Sequence, residues 1–359
     1  MRIVEVINSL TYRGGAQSFV ISISKALSNM GHDVIVISLY GNIDQSYVDP
    51  NDKFKIITVN KRNSFDVLSG KRLKKEILKF NPDVVHCHLS VIPTYFFGFG
   101  FKKQKWALVQ TLHSIPGYTV GKFENKLRFK YIKKGQIKMV AISKMLGDYM
   151  KEMYKVEPTY VDNGIVHIPH ENKNIIGRKN DLIIVANNDE NKNHKLLINC
   201  VKKLNDDGIF CNCVCLGGGE LLEANKQLTR ELGIEEKISF VGPVSNVGDY
   251  LNDSKIFVLA SKKEGNPMSL LEAFDYGLCA VLPRTGGIPD LVEEGVNALL
   301  FDVDSLDGMY SALKSLLLDD SLIERMSSNN LEQSKKYSIE SCAEKYLKIF
   351  GDKNYEKEN

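Results

Sequence analysis

The sequence predicts an α/β protein made of two doubly wound domains that face one another across a cleft. Three observations predict it. Short apolar, β-branched runs alternate with longer helical patterns, the mark of parallel strands joined by crossover helices. The alternation breaks near 164–180, at Asn163-Gly164, Pro169 and the polar run Glu171-Asn172-Lys173-Asn174, and then restarts. The 359 residues are too many for one ordinary core and suit two. Ligands of such sheets bind outside the carboxyl ends of the strands, so a cleft between the halves is expected.

In the first half, strands are expected near 2–8, 33–39, 54–59, 83–88, 106–112, 138–142 and 159–162. Helices near 16–30, 66–80, 91–100, 122–135 and 143–153 fill the intervals, the last with Ser143 as its cap. The run Asp181-Leu182-Ile183-Ile184-Val185-Ala186 opens the second set, and a helix near 193–206 follows. Strands then recur near 210–216, 237–241, 256–259 and 279–282, with helices near 220–232, 246–252 and 269–276. After a short apolar run at 298–301 the rest reads as helix. The expected domains are therefore 1–165 and 166–337, with a last helix in 338–359 returning to the first domain and a frayed, charged tail.

Bulk properties exclude several classes. A composition of 43% hydrophobic and 25% charged residues is that of a soluble globular protein. No stretch approaches the roughly 20 apolar residues of a membrane span. The opening Met1-Arg2-Ile3-Val4-Glu5-Val6-Ile7 reads as a buried strand and not as a leader, so a cytoplasmic chain starting at Met1 is expected. Seven cysteines make a disulfide framework unlikely in such a setting. Cys211, Cys213 and Cys215 alternate on one strand face without zinc-ligand spacing, and read as small buried hydrophobes. The net charge of +3 is uneven: ten Lys and Arg between 102 and 138 meet a single acid, Glu124. That block reads either as a solvated helix face or as a patch for an anionic membrane surface. No nucleic-acid motif accompanies it, so no nucleic-acid partner is expected.

The most informative segment runs from Ser261 to Phe274. It follows the apolar run Ile256-Phe257-Val258-Leu259, which places Glu264 in a strand-to-helix loop and Glu272 inside the next helix, starting near Met268 or Ser269. The start of that helix offers unpaired N–H groups and a positive dipole end, a seat for phosphate. Gly265 lets backbone approach a ligand closely. Two carboxylates so placed can each grip a pair of hydroxyls, and a nucleotide-sugar presents hydroxyl pairs on either side of its diphosphate.

Glu264 and Glu272, with Gly265 and Pro267 between them, resemble the E-x7-E signature of family 4 glycosyltransferases and related retaining enzymes. Arg284-Thr285-Gly286-Gly287-Ile288-Pro289-Asp290-Leu291-Val292 is similar to the T-G-G-x-P-E-x-V segment of that family, with Asp290 for the usual Glu. Gly295-Val296-Asn297-Ala298-Leu299-Leu300 resembles its G-x-x-G-x-L stretch, with Ala298 for the second glycine. Ala186 to His194 resembles its G-R-x-x-x-x-K-[GN]-H loop, where Arg and Lys clamp the donor diphosphate. Lys192 is kept, but Asn187 stands in place of the Arg and cannot supply its charged fork.

The resemblance covers essentially the whole chain and implies the GT-B fold, two Rossmann-like domains. It implies that Glu272 binds the donor ribose, that Glu264 faces the transferred sugar, and that backbone around Asn266, Pro267, Met268 and Ser269 holds sugar and diphosphate. His113, closing the strand Ala107–Leu112 before Ser114-Ile115-Pro116-Gly117, is implied to lie near the transferred sugar, with a structural histidine as the lesser reading. Arg13-Gly14-Gly15-Ala16-Gln17 resembles the family's G-G-[AV]-[EQ] loop, and Gly217-Gly218-Gly219-Glu220 its G-x-G loop. For both, a plain tight turn remains open. Asn163-Gly164-Ile165 resembles the junction turn N-G-[IV]-D, with Val166 where the acid usually lies. His86 and His88 share one strand face, but metal ligation lacks further ligands, so packing is preferred.

The implied reaction is retaining transfer of a hexose or N-acetylhexosamine from a nucleoside-diphosphate sugar, with UDP taken on family frequency. The acceptor is a glycan or lipid-linked glycan in surface polysaccharide assembly. The donor is a co-substrate and no cofactor is expected. Lys192 and the helix N-terminus would stabilise the departing diphosphate. Metal-independent chemistry is expected, because no Asp-x-Asp motif is read at a strand end. Two alternatives stay open: a non-catalytic sugar- or partner-binding subunit, favoured by Asn187, and a sugar-nucleotide epimerase, disfavoured by the segment 285–292. A nicotinamide dehydrogenase would need a G-x-G-x-x-G opening one of the domains.

Overall fold

The computed structural model describes residues 1–11, 14–113, 122–171 and 173–351. The chain divides into two compact units, Met1–Val166 joined by the segment from Ser338, and His167–Tyr337.

The first unit runs β1 (Arg2–Ile7), α1 (Gly15–Asn29), β2 (Asp33–Ser38), β3 (Lys55–Thr58), α2 (Leu68–Phe80), β4 (Val84–His88), α3 (Ile92–Phe99), β5 (Ala107–Leu112), α4 (Lys122–Lys133), β6 (Lys138–Ala141), α5 (Lys144–Tyr154) and β7 (Thr159–Tyr160). Its strands lie in the order β3-β2-β1-β4-β5-β6-β7, every pair parallel. The order reverses between β1 and β4, which makes that the topological switch point. Both strands are buried almost throughout, as a sheet covered on both faces requires. Ser143 caps α5, its hydroxyl accepting from the Leu146 amide.

The second unit runs β8 (Asn180–Val185), α6 (His194–Asp206), β9 (Cys213–Leu216), α7 (Leu222–Glu231), β10 (Ile238–Gly242), α8 (Val247–Asn252), β11 (Ser254–Val258), α9 (Met268–Asp275), β12 (Cys279–Pro283), α10 (Ile288–Leu291), β13 (Ala298–Phe301), α11 (Leu306–Leu317) and α12 (Asp320–Ser334). Its parallel order is β10-β9-β8-β11-β12-β13, with the reversal between β8 and β11. Strand β9 starts three residues later than its apolar run suggests. Phe210 is exposed, and Asn212 and Asp181 each accept the other's backbone N–H through their side chains in place of a ladder bond. The one-turn helix α10 and a 3-10 turn at Ile175–Gly177 were not expected.

The chain then re-enters the first unit. Ile165 bridges Ser338, the Ile339 amide donates to the Ile165 carbonyl at 2.8 Å, and α13 (Ile339–Gly351) begins. Gly164 makes this closure possible, since a Cβ there would sit 2.7 Å from the Ile339 Cα. Helix α13 buries Ile339, Cys342, Ala343, Tyr346 and Phe350, the spacing of one helical face. All seven cysteines are free and buried.

Candidate functional site

In the second unit the predicted residues converge on the switch point. Lys192 lies in the loop after β8 and Glu264 in the loop after β11, two strands that are neighbours in the sheet. Lys192 Nζ is 2.5 Å from Glu264 Oε1, and the Ser261 hydroxyl donates to the same oxygen at 2.6 Å. The Glu264 side chain is nearly buried and that of Lys192 about a quarter exposed. Backbone ties the loops together: the Lys262 amide donates to the Asn191 carbonyl at 2.8 Å, and Asn191 Nδ2 to the Lys263 carbonyl at 3.0 Å. The expected separation of roles, lysine on diphosphate and glutamate on sugar, is thus preceded by contact between the two side chains.

The glycine-rich segment after β12 turns out to hold this loop from behind. The Thr285 hydroxyl donates to the Lys262 carbonyl at 3.0 Å, and the Gly287 amide to the Glu264 carbonyl at 3.3 Å. Gly286 has φ +60°, and a Cβ there would fall 1.7 Å from the Glu264 carbonyl oxygen. Only glycine fits. The two sequence signatures are therefore one piece of structure.

Helix α9 starts at Met268 behind Pro267, with no side chain capping its first turn. Asn266, Pro267 and Met268 are buried, while Gly265, Ser269 and Glu272 are half-buried. Glu272 lies a turn into the helix, as its spacing from Glu264 requires.

On the other side of β8, Gly217 has φ +127°, and a Cβ there would lie 2.1 Å from the Ala186 carbonyl oxygen. Its close approach serves the packing of two loops, so the turn reading describes what is seen. Asn188, fully buried and missed by sequence reasoning, is the staple. Its amide donates to the Gly218 carbonyl at 2.6 Å, its Nδ2 to the Gly217 carbonyl at 3.1 Å, and it accepts from Asn225 Nδ2 at 2.9 Å. Asn187 beside it is exposed.

An Asp-x-Asp motif does follow a strand, which corrects the expectation that none would. Asp302-Val303-Asp304 comes directly after β13, a run not firmly read as a strand. Asp304 accepts from Asn193 Nδ2 at 2.8 Å, and Asp302 lies 3.9 Å from Arg284 Nε.

In the first unit, His113 follows β5 and is partly exposed. Its Nε2 is 2.9 Å from His88 Nδ1. His88 Nε2 is 2.7 Å from Glu5 Oε2, and His86 Nδ1 is 2.9 Å from the same oxygen. Register explains the meeting. Glu5 pairs with His86 across β1 and β4, His88 with Thr111 across β4 and β5, and alternation puts all of them on one face. Glu5 is the group that sequence reasoning did not find beside the histidines. Among the described residues, Glu5, His86 and His88 are the only three of His, Cys, Asp or Glu close enough together to share a metal ion. Burial pushes the Glu5 carboxyl up, but the nearness of His86 and the hydrogen bond from His88 outweigh it and hold it at about 2. Burial, then His86, brings His88 down to about 4 against the pull of Glu5. Burial and His88 keep His113 well below its ordinary range.

Gly14 stands before α1 in extended conformation, its amide 3.4 Å from the Tyr47 hydroxyl, and Gly15 opens the helix without a side-chain cap. Arg13 and Ser114–Gly117 lie outside the described residues. The basic block needs correcting at two places. Arg128 is fully buried, bonded to Glu124, Gln110, Asn125 and Tyr154, and Lys138 donates to the Ile349 carbonyl.

Two parallel sheets with switch points, one carrying the glutamate pair, define a two-domain glycosyltransferase of the GT-B fold. The Glycosyltransferase Family 4 model matches residues 13–167 and the Glycosyl transferases group 1 model residues 168–333. The chain belongs to this family of glycosyltransferases. It is 24% identical to N-acetyl-alpha-D-glucosaminyl L-malate synthase of Bacillus anthracis, over 94% of each chain. Over 46% of each chain it is 32% identical to a Campylobacter jejuni N-acetylgalactosaminyltransferase acting on a diphospho-undecaprenol-linked sugar. Among solved structures, a glycosyltransferase from Rickettsia africae superposes with a TM-score of 0.79 at 18% identity, over 100% of this chain and 99% of the other. HepE of Anabaena in complex with UDP gives 0.79 at 14%, over 97% and 99%.

Proposed function

We propose that the chain is a retaining, metal-independent hexosyl- or N-acetylhexosaminyltransferase using a UDP-sugar donor. The observation that carries this is the second unit's switch point, where Lys192 and Glu264 meet beside an uncapped helix bearing Glu272. Lysine has three N–H donors, and Glu264 takes one, which leaves two for phosphate oxygens. With the dipole of α9 they would stabilise the charge that grows on the leaving diphosphate. Glu272 would hold the ribose hydroxyls, Glu264 the hexose, and His113 a hydroxyl of the transferred sugar. A diphosphate oxygen takes the acceptor's proton, so no protein nucleophile is required.

A glycan or lipid-linked glycan acceptor is the reading the relatives support, since one acts on a diphospho-undecaprenol substrate. Among the described residues no helix is long and apolar enough to cross a membrane. The first unit's surface fits peripheral binding to an anionic leaflet: Lys122, Lys126 and Lys130 are exposed on α4, and Phe123 stacks on Phe97 at 6.2 Å, both rings exposed. A second reading, a non-catalytic binding subunit, is favoured by Asn187 alone.

A thermal-shift screen against UDP-, GDP- and ADP-sugars, with chelator present, tests the first reading. UDP-sugars should raise Tm most, and donor hydrolysis or transfer should survive chelation with the anomeric configuration kept. A shift without any hydrolysis or transfer supports the second reading, and an inverted product ends the retaining one.

A further inference from the structure

The face of the first unit's sheet carries an unbroken polar line, Glu5 to His88 to His113, whose bonds fix each proton. Ionised Glu5 can only accept, so His88 Nε2, 2.7 Å away, must donate. A neutral imidazole has one N–H, so His88 Nδ1 carries a lone pair. His113 Nε2, 2.9 Å from it, must then be the donor, which leaves Nδ1 of His113 as the acceptor.

We propose that Glu5 is a positioning residue which, through His88, locks His113 in the Nε2–H tautomer and so presents Nδ1 as a hydrogen-bond acceptor to a substrate sugar hydroxyl. This rests on the reading of His113 as a residue that meets the transferred sugar. The burial of Glu5 favours a functional role. A carboxylate at zero exposure carries a desolvation penalty that an apolar residue would not. Depression of the Glu5 carboxyl to about 2 and of His88 to about 4 keeps the first ionised and the second neutral at pH 7.

A second branch runs beside the carboxylate through His86. His86 Nδ1 lies 2.9 Å from the same oxygen but makes no hydrogen bond to it, while its Nε2 is 2.8 Å from the Thr111 hydroxyl, and Thr111 is 2.8 Å from the hydroxyl of Tyr346 on α13. The spacings from His88 Nε2 to Glu5 Oε2, from His86 Nε2 to Thr111 and from Thr111 to Tyr346 are those of hydrogen bonds. Zinc held at about 2.0–2.1 Å by each group would hold its tetrahedral ligand atoms roughly 3.3 Å apart.

The test is nitrogen-15 spectroscopy of the full chain labelled at histidine, at pH 7.5, with each ring assigned by single substitution. His88 and His113 should each be protonated on Nε2 and bare on Nδ1. A proton on Nδ1 of His113, or one zinc per chain by elemental analysis, overturns the proposal. In Glu5→Gln the amide can satisfy either tautomer of His88. His113 should then show both forms, and kcat should fall roughly tenfold or more while the donor KM stays within about twofold. An unchanged tautomer with unchanged kcat also overturns it. Where Glu5→Gln does not fold, the wild-type tautomer decides. Failure of the wild type to bind or turn over any nucleotide-sugar counts against the transferase reading alone, since the ring protons are read without substrate.

Discussion

Gly286 shows how a single residue ties one signature to another. Its φ of +60° and the 1.7 Å approach of a would-be Cβ to the Glu264 carbonyl leave no room for a side chain. Gly286→Ala must strain the backbone by about 1–2 kcal/mol and push the Glu264 loop away from Lys192. The expected outcome is a fall in Tm of roughly 2–6 °C together with weaker nucleotide-sugar binding, measured by thermal shift. Unaltered donor binding would separate the two signatures again. At this scale the sequence was readable where chemistry and spacing coincide, as for Glu264, Glu272 and Lys192. It was mute on Asn188, whose role is to staple two loops, and on Glu5, which meets His88 from 83 positions away. Such meetings depend on strand register, and no local pattern carries that.

Among the elements, α13 reaches into the first unit's polar line. The Tyr346 hydroxyl bonds Thr111, and its ring packs on His86 at 4.9 Å and on Phe19 at 6.1 Å. Tyr346→Phe keeps the ring and leaves Thr111 without that partner, a loss of about 1–2 kcal/mol. A Tm lower by roughly 2–6 °C in calorimetry is expected, and no change would show that the bond adds nothing. Period and length made most strands and helices legible. The misreadings fall where side chains replace ladder bonds, as at Asn212, or where an element is one turn long, as in α10. The short apolar run that became β13 hid the strand end at which Asp302 and Asp304 sit.

Across the whole molecule, buried neutral histidines set the response to acid. His88 and His194 are brought down to about 4, both chiefly by burial, and His113 lies well below its ordinary value. His88 faces Glu5, His86 and His113, while Asp189 and Lys192 act on His194. The unfolded chain takes up the protons of His88 and His194 near pH 6.5, and the folded chain refuses those two until about 4. Stability is therefore full above pH 6.5 and falls as pH drops toward 4, by up to about 1.4 kcal/mol per histidine per pH unit. Glu5, depressed to about 2, adds stability that is lost only between about 4.5 and 2. Scanning calorimetry from pH 7.5 to 4.5 should show a Tm that is level down to about 6.5 and falls below it, and a profile flat throughout would contradict the buried neutral state. The two-unit α/β architecture was legible because each half repeats the same alternation of strand and helix.

The seat of the donor can be probed directly by titration calorimetry of UDP against the wild type and Glu272→Ala. A carboxylate gripping the ribose is worth roughly 1.5–3 kcal/mol, so the variant should bind about 10- to 100-fold more weakly. Equal affinity in the two proteins would contradict a nucleotide held at the start of α9.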